Sequence, residues 1–188
     1  NDLRIGFEIC EDAWVADRPA NRLSRRGVSL VLNPSASHFA FGKLDVRKRL
    51  VADASKLGLA YIYANLNGNE AGRMIYDGGS IISQNGQILA IGERLSFKDV
   101  VIVSKVVDLK KYHTEPSSLE LGVIDANFDL EDNDAKDTPI IDPLWEHSLH
   151  KKEEEFSHAV ALALYDYLRK SRSQGYVISL SGGADSAA

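Results

Sequence analysis

Two short apolar runs, VSLVLN at 28–33 and LAYIYAN at 59–65, bracket a stretch in which Val46, Leu50, Ala54 and Leu57 recur at helical spacing. No other feature constrains the fold as much. Runs that are apolar at nearly every position suit strands covered on both faces. A helix between two such strands is the crossover that joins parallel neighbours. Gly58 closes the helix, which spans 44–57. Around this unit, LRIGFEI at 3–9 reads as a further strand, and Pro19 to Arg26 as a short helix ended by Gly27 at its C-cap. SIISQNGQILAIG at 80–92 predicts a hairpin, because Asn85-Gly86 supplies the two positive-φ residues of a type I′ turn. VVIVSKVVDL at 100–109 reads as one more strand. The order implies a layered α/β domain with mixed sheet.

The pattern changes after Leu109. Residues 110–150 hold three of the five prolines and the acidic stretch DLEDNDAKD, with little periodicity, and read as a connector. A plain surface excursion with no binding role is the favoured reading of them. Phe156, Val160, Ala163, Leu164, Tyr167 and Leu168 then form one face of an amphipathic helix running to about Lys170. Gly175, a strand YVISL at 176–180 and the stretch SGGADSAA follow, so 151–188 read as the opening of a second domain. Both ends read as cuts through a longer protein.

Composition narrows the function classes. With 44% hydrophobic and 26% charged residues, a packed core is expected. A net charge of −5 argues against a nucleic-acid binder. No apolar run approaches the roughly 20 residues that span a bilayer, so no membrane partner is expected. One cysteine rules out an intrachain disulfide and suits a reducing, cytoplasmic compartment.

That cysteine sits in IGFEICEDAW, with Glu8, Glu11 and Asp12 within two residues of Cys10. Anions beside a thiol oppose its ionisation. Cys10 is therefore either an inert core residue or a nucleophile whose activating groups come from elsewhere in the fold. Near the other end, Gly182 and Gly183 between a strand and a helix allow successive N–H groups to face an anion, with Ser181 and Ser186 adding hydroxyls. The lysine of the usual NTPase P-loop is missing. A tight turn with Ser or Asp as N-cap accounts for the same residues.

S-G-G-x-D-S after a hydrophobic strand resembles the pyrophosphatase loop of the ATP pyrophosphatase superfamily, matched here by Ser181, Gly182, Gly183, Ala184, Asp185 and Ser186. ICEDAW resembles the nucleophile segment of nitrilase-like glutaminase domains, which use a Glu-Lys-Cys triad with the Glu and Lys upstream of the cysteine. The resemblance implies that Cys10 is the nucleophile, that the backbone N–H of Glu11 helps hold the oxyanion, and that the triad's cation and base lie outside these residues. NPSASHFAFGK at 33–43 resembles the family's glutamine-pocket loop. It puts Ser37 at the glutamine α-amino group and Lys43 at the α-carboxylate, with Trp14 as a wall. Without the resemblance, Ser37 reads as a loop hydroxyl and Lys43 as a solvated charge. GNEAGRMIYDGGS at 68–80 resembles a strand-turn region of the family, in which Asp77, Gly78 and Gly79 read as architecture.

The two motifs in this order are similar to the glutamine-dependent NAD+ synthetase family. The resemblance implies an α/β fold: the later part of a nitrilase-like α-β-β-α sandwich over 1–109, a connector over 110–150, and over 151–188 the start of a Rossmann-like ATP pyrophosphatase domain. It implies glutamine, ATP and deamido-NAD+ as substrates, and Mg2+ delivered with ATP, with Asp185 as a metal contact. It also implies a homo-oligomer and no tightly bound cofactor. Residues 120–137 match nothing in that family. Three other readings stay open: a different amidotransferase, a nitrilase-type C–N hydrolase, and a non-catalytic scaffold.

Overall fold

The parallel unit expected from the two apolar runs is present. In the computed structural model, which describes residues 3–70, 73–109, 124, 126, 136–139 and 143–187, β1 (Ile5–Phe7), β2 (Leu30–Ser35) and β3 (Ala60–Asn65) run parallel. Helix α1 (Pro19–Ser24) lies between the first two, and α2 (Lys43–Ser55) crosses between the second and third. Strands β4 (Asn67–Glu70) and β5 (Met74–Asp77) form a separate antiparallel pair. The predicted hairpin supplies β6 (Ile81–Gln84) and β7 (Gln87–Ile91), which extend the main sheet antiparallel to β3 in the order β1-β2-β3-β6-β7. Its turn has φ of 54° at Asn85 and 79° at Gly86, the left-handed pair that type I′ demands.

The sheet is covered on one face. Val31, Tyr61, Tyr63 and Ile81 pack there against Ala20 of α1 and Leu44, Val51 and Ala54 of α2. On the opposite face Ile5 and Phe7 are exposed and Leu30, Leu32 and Ile62 only half-buried. The expectation that 28–33 is covered on both faces is thus met on one side only.

Both long helices present a different face from the one their apolar residues predict. In α2 the buried positions are Leu44, Arg47, Val51, Ala54 and Ser55, while Val46 and Leu57 are exposed and Leu50 packs at the margin. Helix α3 (Lys151–Ser171) buries Glu155, Ala159, Leu162 and Asp166 and leaves Phe156, Val160, Leu164 and Tyr167 exposed. Each buried face holds charged side chains, because ion-pair partners on neighbouring elements claim them. Arg47 meets Asp77 at 2.7 Å, Glu155 meets Arg94 at 2.8 Å, and Asp166 accepts from the Asn69 N–H at 2.7 Å. Between its two acids α3 packs Ala159 and Leu162 on Leu95, with Ile75, Phe39 and Trp145 at the edge.

Two expected strands are not formed among the described residues. Residues 101–109 are held by isolated bonds instead of a ladder: the Thr138 N–H donates to the Ser104 carbonyl (3.2 Å), and Gln84 Nε2 to the Asp108 carbonyl (2.6 Å). Residues 176–180 lie exposed and irregular, with the Tyr176 hydroxyl donating to the Leu164 carbonyl. A strand is stable only with a neighbour to satisfy its backbone groups, and neither segment finds one among the described residues. Most of the acidic stretch 129–137 lies outside them. No helix among them is long and apolar enough to cross a membrane.

The faces of α2 are testable by urea unfolding. Val46→Ala is expected to change stability by less than about 0.5 kcal/mol, and Val51→Ala to lower it by on the order of 2 kcal/mol. Equal effects would return Val46 to the core face.

Candidate active site

Cys10 stands at a sharp bend. Strand β1 ends at Phe7, Glu8 continues along β2 through its N–H to the Leu32 carbonyl (3.1 Å), and Cys10 then turns the chain with φ of +45°. That is an uncommon conformation for a residue with a Cβ, and such strain clusters at functional sites. The chain winds at once into a 3-10 turn, Cys10–Trp14, pinned by buried Ala13 and by the Asp12 N–H bonding the Ile9 carbonyl at 3.0 Å. The thiol is half-buried, and Glu11, Asp12 and Trp14 are exposed.

Glu8 belongs to the core and not to the thiol's chemistry. It is fully buried. Arg18 donates to it twice, from Nε at 3.2 Å and Nη2 at 2.5 Å, the Ala20 N–H donates at 2.9 Å, and the Tyr61 hydroxyl donates as well. Burial pushes the Glu8 carboxyl upward, but these hydrogen bonds and the Arg18 charge outweigh it, so its pKa lies below the ordinary 4.5. Of the three carboxylates near Cys10 in sequence, the one that folds inward is therefore neutralised by Arg18.

The loop before α2 comes to the same place. The Phe39 N–H donates to the Ile75 carbonyl (2.7 Å) and His38 bridges to Tyr76. Gly42, with φ of 72°, turns the chain into α2, and Lys43 is its first helical residue. Lys43 Nζ donates to the His38 carbonyl at 3.0 Å. Burial and the nearby Arg47 push the Lys43 pKa below its ordinary value, while Asp77 and Cys10 pull it back. Cys10 thus lies within electrostatic reach of Lys43. Tyr76 senses it too, after the larger effects of burial and Glu70.

Ser37 is buried, with its N–H on Asn65 Oδ1 (2.8 Å) and its carbonyl accepting from Arg47 Nη2 (2.8 Å) and Asn65 Nδ2 (3.0 Å). Arg47 Nη2 also reaches the Ser37 hydroxyl at 3.2 Å, so that hydroxyl keeps its proton free to donate. Arg47 and Asp77 hold this loop from beneath. Two clefts, of about 260 and 220 Å3, lie elsewhere, beside residues 91–103 and 65–67, and Cys10 lines neither.

The second motif is far from the first in sequence and forms a closed turn. Gly182 takes φ of 79°, the Ser186 hydroxyl receives the Ser181 N–H (3.1 Å) and donates to the Gly183 carbonyl (3.1 Å), and α4 (Ala184–Ala187) begins directly. These residues are exposed apart from half-buried Ser186. No group of three or more metal-ligating side chains occurs among the described residues.

Comparison with known proteins gives one consistent answer. No family model matches. A putative glutamine-dependent NAD(+) synthetase of Schizosaccharomyces pombe is 37% identical over 99% of this chain, which spans 28% of that protein. A glutamine-dependent NAD(+) synthetase structure from Cytophaga hutchinsonii is 41% identical with a TM-score of 0.64, over 100% of this chain and 24% of that one. Over nearly its whole length the chain is similar to glutamine-dependent NAD+ synthetases. The Acinetobacter baumannii synthetase, solved in complex with adenosine diphosphate, gives a TM-score of 0.67 at 26% identity, over 97% of this chain and 29% of that one. The chain spans about a quarter of the length of these relatives. The α/β reading of the fold holds, as a five-stranded mixed sheet with helices laid on one face and a separate two-stranded pair.

Arg47, Asp77 and Arg94 are what the sequence reading of the site left out. Asp77 was expected to be architectural, and it is the buried partner of both arginines. The available signal was an arginine on the 44-47-51-54 stripe, where a charge interrupts an otherwise apolar helix face.

Glu8 carries a pH prediction. Its folded pKa lies below its unfolded one, so its contribution is complete above pH 4.5 and is lost as pH falls through the lower, folded value. Glu8→Gln is expected to lower stability at pH 7 by about 2–3 kcal/mol, with the gap to wild type closing in urea titrations at acid pH. A pH-independent gap would refute the ion-pair role.

Proposed function

We propose that these residues form part of a glutamine-hydrolysing NAD+ synthase, a cytoplasmic ligase of the carbon–nitrogen type. In this reading 1–109 are the later part of the glutaminase domain, 110–150 the connector and 151–188 the entry to the synthetase domain. Supporting it above all is that one similarity spans nearly the whole chain, taking in both the Cys10 segment and the 181–186 loop.

The glutaminase chemistry follows from the residues. The Cys10 sulfur attacks the side-chain amide carbon of glutamine, giving a tetrahedral oxyanion near the N–H of Glu11. Cleavage of the C–N bond releases ammonia and leaves a γ-glutamyl thioester, which water converts to glutamate and free thiol. The family's Glu and Lys partners, which precede the cysteine in sequence and lie outside residues 1–188, supply the base and the cation. Lys43 uses one of its three donors on the His38 carbonyl and keeps two for the substrate α-carboxylate. It serves as a point charge, without the bidentate grip an arginine would give. Ser37 holds the α-amino group through the spare lone pair of its hydroxyl, and Trp14 walls the pocket.

Ser181 to Ser186 hold the pyrophosphate of ATP, whose Mg2+ arrives as part of the substrate. Gly182 supplies the left-handed turn that lets adjacent N–H groups face one anion. The carboxylate of deamido-NAD+ attacks the α-phosphorus of ATP and releases pyrophosphate, and ammonia then displaces AMP from the adenylate to give NAD+. The ammonia travels enclosed, because at neutral pH bulk water converts it to non-nucleophilic ammonium. The assembly is a homo-oligomer.

The test uses the full-length parent, wild type against Cys10→Ala, with NAD+ formation from deamido-NAD+ and ATP as readout. Glutamine-driven synthesis should fall by at least about 1,000-fold, and ammonium-driven synthesis should stay within about twofold of wild type. Retained glutamine use would remove Cys10 as nucleophile, and failure with both nitrogen sources in the wild type would remove the acceptor.

A further inference from the structure

Asp77 lies fully buried between two arginines. Arg47 Nη1 donates to its two oxygens at 2.7 and 2.9 Å, and Arg94 Nη1 lies at 3.2 Å. One carboxylate cannot neutralise two guanidinium groups, so the remaining negative charge must come from elsewhere. It comes from the α3 region. Arg94 donates through Nε (2.8 Å) and Nη2 (3.0 Å) to Glu146, on the 3-10 turn Leu144–His147, and through Nη1 (2.8 Å) to Glu155 of α3. Lys151 adds a cation 3.3 Å from Glu146. Three cations then face three carboxylates, and Arg94 stacks 5.2 Å from the Trp145 ring. Glu146 balances the second arginine, and α3 adds one charge of each sign, Glu155 and Lys151, with Glu155 filling the remaining side of Arg94 Nη1.

The other end of the group is the candidate glutamine loop. Arg47 Nη2 holds the Ser37 carbonyl and hydroxyl and reaches the His38 carbonyl at 3.2 Å, the same carbonyl that receives Lys43 Nζ. A continuous run of charge-assisted contacts therefore leads from Glu155 through Arg94, Asp77 and Arg47 to Ser37 and Lys43. Helix α3 has a second polar fixing three turns further on. Asp166 accepts from the Asn69 N–H and lies 2.7 Å from both Arg169 and Lys170. Gly68 is constrained beside it, since a Cβ there would come 2.6 Å from an Asp166 oxygen. Two polar seats on one face define the register of the helix as well as its contact.

Resting on the glutaminase reading above, we propose that Arg94 and Arg47 are positioning residues for the glutamine site, and that Glu155 of α3 sets the geometry of the Ser37–Lys43 loop through them. Withdrawing Glu155 leaves Arg94 Nε and Nη2 on Glu146 and turns its Nη1, now relieved of Glu155, wholly toward Asp77. Asp77 is then shared more evenly between the two arginines, and Arg47 loosens from the loop carbonyls. The substrate's α-amino and α-carboxylate contacts deteriorate while the thiol and the synthetase site stay intact.

The experiment uses the full-length parent with Glu155→Gln, which keeps shape and removes charge, Arg94→Lys, which keeps charge and removes the fork, and the double variant. Lys56→Ala, which breaks an exposed pair with Asp53, is the control. The KM and kcat for glutamine are measured beside the ammonium-driven rate and the thermal midpoint. Each single variant is expected to raise the glutamine KM about tenfold, with ammonium-driven synthesis within about twofold of wild type. The double variant should be no worse than the poorer single one, because the residues act in series. An unchanged KM in folded Glu155→Gln overturns the proposal, and so does a parallel fall of both rates, which marks a structural role. Should Arg94→Lys fail to fold, Glu155→Gln alone carries the same two readings. If Cys10→Ala abolishes glutamine use while Glu155→Gln leaves KM unchanged, only the positioning role falls. If Cys10→Ala retains glutamine use, the glutaminase reading falls first.

Discussion

Asp77 is the carboxylate on which the described structure converges. It ends β5, it is fully buried, and its two oxygens receive Arg47 from α2 and Arg94 from beyond the hairpin. Removing water from three charges is costly, and such a group persists only when its charge is balanced and its hydrogen bonds are made. Here Glu146 completes the balance and Glu155, offset by Lys151, closes the shell around Arg94, so segments over a hundred residues apart in sequence must assemble together. A hydrophobic cluster of the same size would accept many packings. An ion cluster with fork geometry accepts few, which is how a loop bearing Ser37 and Lys43 is held to one conformation.

The same cluster explains which parts of the fold could be read from the sequence. The parallel unit, the hairpin and the turn at Asn85-Gly86 follow from local rules: apolar runs make strands, and two positive-φ residues make a type I′ turn. The helix faces do not. Val46 and Phe156 look like core residues because apolar side chains normally are, yet each is exposed while Arg47 and Glu155 occupy the buried face of its helix. A hydrophobic stripe identifies the buried face only when the opposing surface is apolar. Here the opposing surface holds Asp77 and Arg94, and tertiary charge decides the rotation of both helices. Residues 101–109 and 176–180 fail for another reason. Their composition favours strand, but strand is a pairwise property, and a partner is what the composition of one segment cannot supply.

The site shows a similar division. From the residues alone Cys10 reads as either core cysteine or nucleophile, and it is the resemblance of ICEDAW that makes it a candidate; in the fold it stands at a bend with φ of +45°. Its acidic neighbours were misleading in sequence and clear in space. Glu8 folds inward to Arg18, and Glu11 and Asp12 remain in solvent, where water screens them. Lys43, thirty-three residues away in sequence, is brought near enough by the fold for Cys10 to count among the influences on it, after burial, Arg47 and Asp77.

Exposure completes the argument. Phe7 is 61% exposed on the open face of the sheet, and Phe156 58% and Leu164 49% on the outer side of α3. Isolated apolar residues on a surface need no explanation, but aligned ones on a strand and along a helix do. Among the described residues each of these surfaces lies behind a face that is already packed: the open face of the sheet behind the one that takes α1 and α2, and the outer side of α3 behind the one whose Glu155 and Asp166 meet Arg94 and Asn69. Ions therefore fix one side of this helix while hydrocarbon shows on the other.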